Sequence, residues 1–367
     1  MTSVHNIAPV RELKKPPKSI CILRLSAIGD VCHALPVVRS IQNLWPTTSI
    51  TWIIGQTEYE LLSDIDDIHF VVFDKKAGLK AFFQLKKSLK NKQFDLLLHM
   101  QTSLRSNIAS LFIPATIKLG YDKNRAKELH YWVTNRKIPS TSKHQHQIDD
   151  LFGFAMALGA KKQIAWNIPI QQKALHKIKQ QFKNKKPLLI ISPCSSPSKR
   201  IHRSWNTANY ARVADYAIES LGYDVVLSGG PTQHELRAGK EIETIMHNKP
   251  ANLIGKTSLK ELLALMSISA LLITSDSGPS HIATALNLPV IALHAATNPY
   301  QTGPYLWLDW VINKYPEAVE IEYQKKPEQL AWGTRVHNEN IMALITAEKV
   351  IHQLIKMHSQ GIQEKQR

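Results

Sequence analysis

Short apolar runs alternate with amphipathic stretches along most of the chain. Residues 20–25 (ICILRL) predict a first strand, residues 26–30 a turn, and residues 31–44 a helix despite Pro36. Apolar runs at 50–54, 71–73, 94–100 and 117–121 predict four more strands. Between them fall a short helix at 59–62, an amphipathic Lys-rich helix at 78–90 and a helix near 104–112. Residues 145–158 predict a further helix. Residues 160–186 are polar and Lys-rich with no strong strand, so a domain boundary is expected between 165 and 185. The alternation then restarts. Strands are predicted at 188–193, 224–228, 251–255, 270–273 and 290–293, with helices at 207–221, 232–246 and 258–267. Residues 338–359 predict a final amphipathic helix.

Strands that alternate with helices in this way predict α/β architecture, with parallel sheets covered by helices on both faces. Each half opens with a strand followed by a turn of small residues, so two doubly wound domains are expected, with a cleft between them. Ligands of such sheets bind beyond the carboxyl ends of the strands. The loops at 26–30 and 275–280 both lie at such ends and are expected to face one another across that cleft.

Composition narrows the partners. The chain has 367 residues and a formal net charge of +17, with a pI of about 9.6. Such a charge favours an anionic partner: nucleic acid, an anionic membrane surface or a phosphorylated substrate. Aromatic residues are only 7% and are not interleaved with the basic runs, and no nucleic-acid motif is present. Nucleic acid is therefore not the expected partner. Cys21, Cys32 and Cys194 are too widely spaced for a disulfide framework or a metal knuckle, which fits a reducing cytoplasm. No apolar stretch reaches membrane-spanning length. Residues 1–18 have no apolar segment of the kind that marks a secretory signal, and are expected to form a mobile tail.

The richest stretch is 274–281, TSDSGPSH, between an apolar strand and a helix. Free N–H groups and the positive end of the helix dipole favour an anion there. Gly278 allows close approach of a phosphate. Pro279 suits the first helical turn, where its missing N–H costs nothing. The same residues would equally make an ordinary capped helix.

RLSAIGDVCHALPVVRSI at 24–41 and SDSGPSHIATALNLPVIALHAATNP at 275–299 resemble the heptosyltransferases of lipopolysaccharide assembly, glycosyltransferase family 9. SPCSSPSKRIHRSWNTANYARVA, VVLSGGPTQHE and LIGKTSLKELLALMSISALLITSDSG agree with that pattern, so the likeness covers residues 19–355. The resemblance implies a GT-B fold of two facing Rossmann-like domains. Their expected extents are 19–172 for the acceptor and 173–337 for the nucleotide sugar, with the 338–359 helix packing back towards the first domain. It implies inverting, metal-independent and cofactor-free transfer of heptose from ADP-heptose to the Kdo-containing inner core of a lipid A precursor.

Inversion needs a general base for the acceptor hydroxyl. The resemblance assigns Asp30 to it, although an aspartate at that place also caps helices. His33, one turn on, is a weaker candidate. Without metal, the leaving diphosphate must be stabilised by cations and helix N-termini. The implied donor-phosphate residues are Lys199, Arg200, Ser277, Gly278, Pro279, Ser280 and His281. Arg203 competes with Lys199 and Arg200 for the same role, and Ser195 and Ser196 are possible further donors. Asp276 would repel phosphate unless turned toward sugar hydroxyls, so it is expected to read the donor sugar. Glu235 resembles the position that bonds the ribose. Arg105, Arg125 and Arg136, with Lys123 and Lys127 beside them, are the acceptor-binding candidates. The excess positive charge also suits peripheral association with the anionic cytoplasmic face of the inner membrane. Two rivals stay open: an enzyme of the same fold using another nucleotide sugar, epimerases included, and a non-catalytic nucleotide-binding module. The LHAATNP segment at 293–299 departs from the family pattern and bears on which sugar is carried.

Overall fold

A computed structural model describes residues 15–140, 144–183, 186–195 and 203–361. The chain divides into two compact units, 1–169 and 170–367. In the first, β1 (Ser19–Leu23), β2 (Ser49–Gly55), β3 (His69–Phe73), β4 (Phe94–His99), β5 (Ala115–Gly120) and β6 (Arg136–Lys137) form one sheet in the order β3-β2-β1-β4-β5-β6. Every pairing is parallel, and Ile20 lies between Ile50 and Leu96. In the second, β7 (Leu188–Ser192), β8 (Asp224–Leu227), β9 (Ala251–Asn252), β10 (Leu271–Ser275), β11 (Val290–His294) and β12 (Ile312–Asn313) run β12-β11-β10-β7-β8-β9, again all parallel. The two sheets share one strand order. The chain reverses its direction of build between β1 and β4, and again between β7 and β10. These switch points open the crevices in which such sheets bind ligands.

Strands covered on both faces must be apolar throughout, and β7, β10 and β11 are buried along their whole length. The first unit packs Leu23, Ile53, Phe73, Leu85 and Leu97 into one core. The second packs Leu189, Ile191, Tyr210, Ile273 and Leu293 into another.

The first helix spans Ile28–Leu44, so it starts earlier than the pattern predicts and carries Pro36 in its interior. Proline lacks the N–H that would bond the carbonyl four residues back. That carbonyl belongs to Cys32, and the buried Trp166 indole donates to it at 2.7 Å. The hydrogen bond missing from the helix is supplied from a segment 134 residues away in sequence.

Three expectations shift in detail. Residues 17 and 18 are held in place: Pro17 accepts from the Thr48 hydroxyl at 2.7 Å, and Lys18 donates its N–H to Asp95 at 2.7 Å. The boundary falls after Pro169, within the expected window and three residues ahead of the 172/173 division; the Lys-rich stretch holds a helix, Gln172–Gln181, whose Lys177 pairs with Glu261 of the second unit. The final helix is Ala347–Gly361, preceded by a 3-10 turn at Ile341–Leu344. Asn338 accepts from the Asn340 N–H at 3.0 Å, a local bond that competes with helix, and Thr346 accepts from Lys349. One face of that helix packs in the second unit: Ala347, Val350, Leu354 and Met357 enter its core, and the Trp205 indole bonds the Ile345 carbonyl just before the helix at 2.8 Å.

Candidate active site

The first unit places Asp30 just beyond the C-terminal end of β1, at the switch point. Asp30 is the third residue of its helix rather than a residue ahead of it. Its Oδ2 accepts from the Ala27 N–H at 2.6 Å, and its Oδ1 pairs with Arg24 Nη2 at 2.7 Å. The capping use of this aspartate and its place at the switch point therefore coexist. Its side chain is 28% exposed, so part of the carboxylate stays open to a ligand. Arg24 also donates through Nη1 to the Met100 carbonyl at the end of β4. The Leu25 N–H donates to Gln101 Oε1 at 2.7 Å, and Gln101 in turn reaches Ser103, which caps the helix Leu104–Leu111. One network thus joins the loops on both sides of the switch point and fixes the carboxylate's direction. His33 is buried and its ring meets that of His146 edge-on at 5.5 Å, a packing role.

Arg24 and Gln101 were not singled out from the sequence. The available signal was a cation at the end of an otherwise apolar strand.

Beneath this network, His99 ends β4 and is fully buried, with neither ring nitrogen hydrogen-bonded. Burial, and then the neighbouring His130, hold its pKa well below the ordinary histidine value. The two ring centroids are 4.3 Å apart. His130 accepts from the Tyr121 N–H at 3.0 Å and lies 3.2 Å from Asn107 Oδ1. Its own pKa is pushed down to about 4, by burial first and then by Lys137.

In the second unit, Ser277 is the N-cap of the eight-residue helix Gly278–Ala285, with Pro279 in its first turn. Ser277 Oγ lies 2.9 Å from Thr274 Oγ1, which donates to the Ser192 carbonyl at 2.9 Å and so ties β10 to β7. Ser280 is wholly buried and its hydroxyl donates to the Ser277 carbonyl at 2.7 Å. Ser280 therefore shapes the turn and presents no free hydroxyl to a phosphate. What this end offers an anion is backbone, the Gly278 N–H and the positive end of the helix, since Pro279 has no N–H and that of Ser280 bonds the Ser277 carbonyl at 3.2 Å. His281 is buried close by.

Asp276 does not stand open as a sugar ligand. Its Oδ2 accepts from Arg203 Nη1 and from the Thr297 hydroxyl, each at 2.8 Å. Burial opposes its charge, yet His294, Arg203, His281 and the Thr297 hydroxyl together hold the carboxyl below its ordinary value. His294 lies 3.2 Å from Thr297 Oγ1, and burial keeps its pKa low. The divergent LHAATNP segment thus supplies two members of this cluster. Arg203, a rival phosphate ligand, is bound into the same cluster and buried. Lys199, Arg200 and Ser196 lie outside the described residues. Ser195 is buried, its N–H donating to Ser204 Oγ.

Glu235 sits in the first turn of the helix Gln233–Ile245. It accepts from the Gly230 N–H at 2.8 Å and from the Thr232 hydroxyl at 2.6 Å. A side chain on Gly230 would press to 3.0 Å from that carboxylate. Glu235 builds the turn after β8, and its remaining lone pairs are what a ribose would use.

The three acceptor candidates separate. Arg105 is exposed in the first turn of the helix Leu104–Leu111, beside the Asp30 network. Arg125 is corrected to a structural role: it pairs with Asp122 and Asp150, donates to the Pro139 carbonyl and stacks over Tyr121. Arg136 is exposed on β6 and donates to its neighbour's carbonyl. Lys123 and Lys127 are exposed.

All three cysteines are buried and free, with the Cys32 and Cys194 thiols pushed up to about 12 chiefly by burial, so none is a reactive thiolate. Among the described residues no group of three or more His, Cys, Asp or Glu side chains is placed to hold a metal ion, and no helix is long and apolar enough to cross a membrane.

Comparison with known proteins bears on this geometry. Residues 82–331 match the family model for glycosyltransferase family 9 (heptosyltransferase). The lipopolysaccharide core heptosyltransferase OpsX of Haemophilus influenzae is 42% identical over 343 residues, covering 93% of this chain and 97% of that protein. A crystal structure of a family 9 glycosyltransferase from Veillonella parvula superposes with a TM-score of 0.77 at 22% identity, covering 94% of this chain and 98% of the other. The Escherichia coli heptosyltransferase WaaC with ADP gives 0.68 at 19% identity, covering 94% and 99%. The two parallel six-stranded sheets thus have the GT-B fold.

Proposed function

The chain belongs to glycosyltransferase family 9, the heptosyltransferases, and on that premise we propose that it transfers heptose from ADP-heptose to the Kdo-containing inner core of lipopolysaccharide, with inversion. The acceptor oxygen bonds to the anomeric carbon as the bond from that carbon to the diphosphate breaks. ADP leaves from the opposite face with the electron pair, and the hydroxyl proton passes to Asp30. Arg24 and the Ala27 N–H hold the carboxylate in one direction, so little reorganisation is needed at the moment of transfer. Arg105 gives the acceptor's carboxylate a bidentate partner. The first turn at Ser277 and Gly278 receives the diphosphate, with Lys199 or Arg200 supplying charge, and Glu235 takes the ribose. The Asp276–Arg203–Thr297 cluster shapes the wall beside the donor sugar.

The observation that carries this reading is that one chain holds both a fixed, partly open carboxylate at the switch point of its first unit and a helix N-terminus suited to phosphate at that of its second. The acceptor lies in an anionic leaflet, so peripheral attachment to the cytoplasmic face of the inner membrane belongs to the same proposal. The test is an assay of the purified protein with ADP-heptose and a Kdo-lipid acceptor, following ADP release and the mass of the product. Turnover with both substrates is expected. Calorimetric preference for UDP over ADP would overturn the donor assignment, and turnover of donor without acceptor would replace transfer with epimerisation.

A further inference from the structure

The first unit carries a surface that neither its core nor its proposed chemistry explains. The helices Lys80–Ser88 and Leu104–Leu111 lie side by side on one face of the first sheet, with Phe82 and Phe112 5.9 Å apart between them. Their inner sides, through Ala81, Leu85 and Ala109, fill the core. A surface helix needs one apolar stripe for that purpose. These have a second one on the outside. Leu79 and Phe83 are 77% and 68% exposed, and Leu104, Ile108 and Leu111 repeat at helical spacing along the outer face of the neighbouring helix. Phe83, Leu111 and Phe112 line a common groove with Lys86, Lys87 and Lys90.

Apart from Glu128, whose carboxylate accepts from the Leu104 N–H, the charge on this face is positive. Between Asp74 and Asp95 the chain has seven lysines and no acidic residue, and the helix Leu104–Leu111 has no acidic residue either. Lys75 pairs with Glu58, but Lys76, Lys80, Lys86, Lys87 and Lys90 are exposed with no carboxylate partner among the described residues. Exposed leucines and phenylalanines among unpaired lysines are the composition that partitions into the headgroup boundary of an anionic bilayer. The adjoining loop extends the pattern. Asn107 holds it to the helix by donating to the Lys127 and Glu128 carbonyls. There Leu129 adopts φ +70, a conformation costly for a bulky side chain, and stays exposed beside Trp132 at 81%. Tryptophan at that exposure suits the membrane–water boundary.

We propose that this two-helix face docks the enzyme on a bilayer rich in anionic phospholipid. The proposal rests on the reading above only for the reason to be there; docking itself requires no turnover. It places Arg105, in the first turn of one docking helix, on the element that touches lipid. The proposed acceptor-binding end of the first unit would then meet a lipid-linked acceptor without its extraction into solution.

The test is co-sedimentation of the full chain with vesicles of phosphatidylethanolamine and phosphatidylglycerol, against vesicles of phosphatidylcholine alone. Binding to the first, little to the second, and weakening with salt are expected. The triple variant Lys86→Glu, Lys87→Glu, Lys90→Glu should bind at least roughly 100-fold less, since loss of each lysine's charge near an anionic surface alone is worth roughly a factor of 5. Phe83→Ser with Leu111→Ser should also lose binding, and its thermal midpoint checks that it folds. Both variants should turn over a short soluble Kdo acceptor like the parent chain and lose activity on acceptor presented in vesicles. Equal sedimentation with both lipids, or unchanged binding by both variants, overturns the proposal. So does sedimentation velocity showing a dimer that the Phe83/Leu111 variant dissociates, with no vesicle binding by the parent. Absence of any transfer together with lipid-selective, variant-sensitive binding would instead overturn the enzymatic reading and leave the docking face standing.

Discussion

Asp30 and Arg24 carry the sharpest expectations at the scale of single residues. Asp30→Asn keeps the shape and most of the capping contact but removes the basic oxygen. Turnover should fall by about 10²–10⁴, with ADP affinity by calorimetry essentially unchanged. An activity loss of only a few-fold would remove Asp30 from the role of base. Arg24 acts through Asp30 and is a positioning residue. Arg24→Gln should lower kcat while leaving the KM for the donor near the parent value, a split that steady-state kinetics reads. In the second unit, Arg203→Ala strands the buried Asp276 carboxylate. Removing one member of a buried pair costs about 3–5 kcal/mol, which a denaturant titration would read. The depressed pKa of Asp276 works in the same direction: its contribution is present above the ordinary carboxylate value and is lost as the pH falls through the folded value. His99 and His130 have the opposite charge and a different window. Their folded pKa values lie below 6.5, that of His130 at about 4. Below pH 6.5 the unfolded chain binds the extra protons, so stability falls from there towards pH 4. His99→Leu removes one such group and should flatten that acid slope in thermal melts. An unaltered slope would show that His99 plays no part in it.

Elements stand where they do because of contacts that cross long stretches of chain. In the helix that presents Asp30, Pro36 leaves the Cys32 carbonyl without its helical donor, and Trp166 supplies one. Trp166→Phe keeps the packing and leaves that carbonyl unpaired in a buried place, at a cost of about 1–3 kcal/mol. Urea denaturation would measure it, and a change much under 1 kcal/mol would mean that water replaces the indole. Elsewhere local signals were sufficient. The helix Thr207–Leu221 begins at Asn206, whose side chain accepts from the Ala208 N–H, and ends at Gly222 in the left-handed region at φ +70. Ser258 and Glu261 cap the helix Leu259–Ile268 reciprocally. Such punctuation is carried by residue type, so both helices were legible within a residue or two. The helix Gln172–Gln181 was not, since its amphipathic face is narrow and its surroundings are polar.

At the scale of the whole molecule, each unit has its own sheet and its own core, drawn from separate stretches of chain. A fragment of residues 170–367 should therefore fold alone, melt cooperatively and bind ADP within a few-fold of the full chain. A fragment without a cooperative transition would show that the second unit depends on the first for its stability. The +17 charge is not spread evenly. Seven lysines with no acidic residue lie between Asp74 and Asp95 of the first unit, where single residues look like solvated surface and only the packing of that segment beside the helix Leu104–Leu111 makes a face.

Periodicity and punctuation in the sequence alone determined that this is an α/β chain of two doubly wound units, because strands covered on both faces must be apolar and the turns between them need small residues. The motifs around Asp30 and Ser277–Ser280 were legible for the same reason: a strand end, a glycine and a helix start are local events. Tertiary structure decided which of the marked side chains remain free. Arg125, Arg203 and Asp276 each looked like a ligand in the sequence, and each is spent on a partner distant along the chain, Arg125 on Asp150 as well as on its neighbour Asp122, and Arg203 and Asp276 on one another. Arg24 and Gln101 looked like nothing in particular, and parallel strands brought them to the two sides of the switch point. A charge declares itself in sequence, but its partner is chosen by the pairing of strands, and no local pattern encodes that choice.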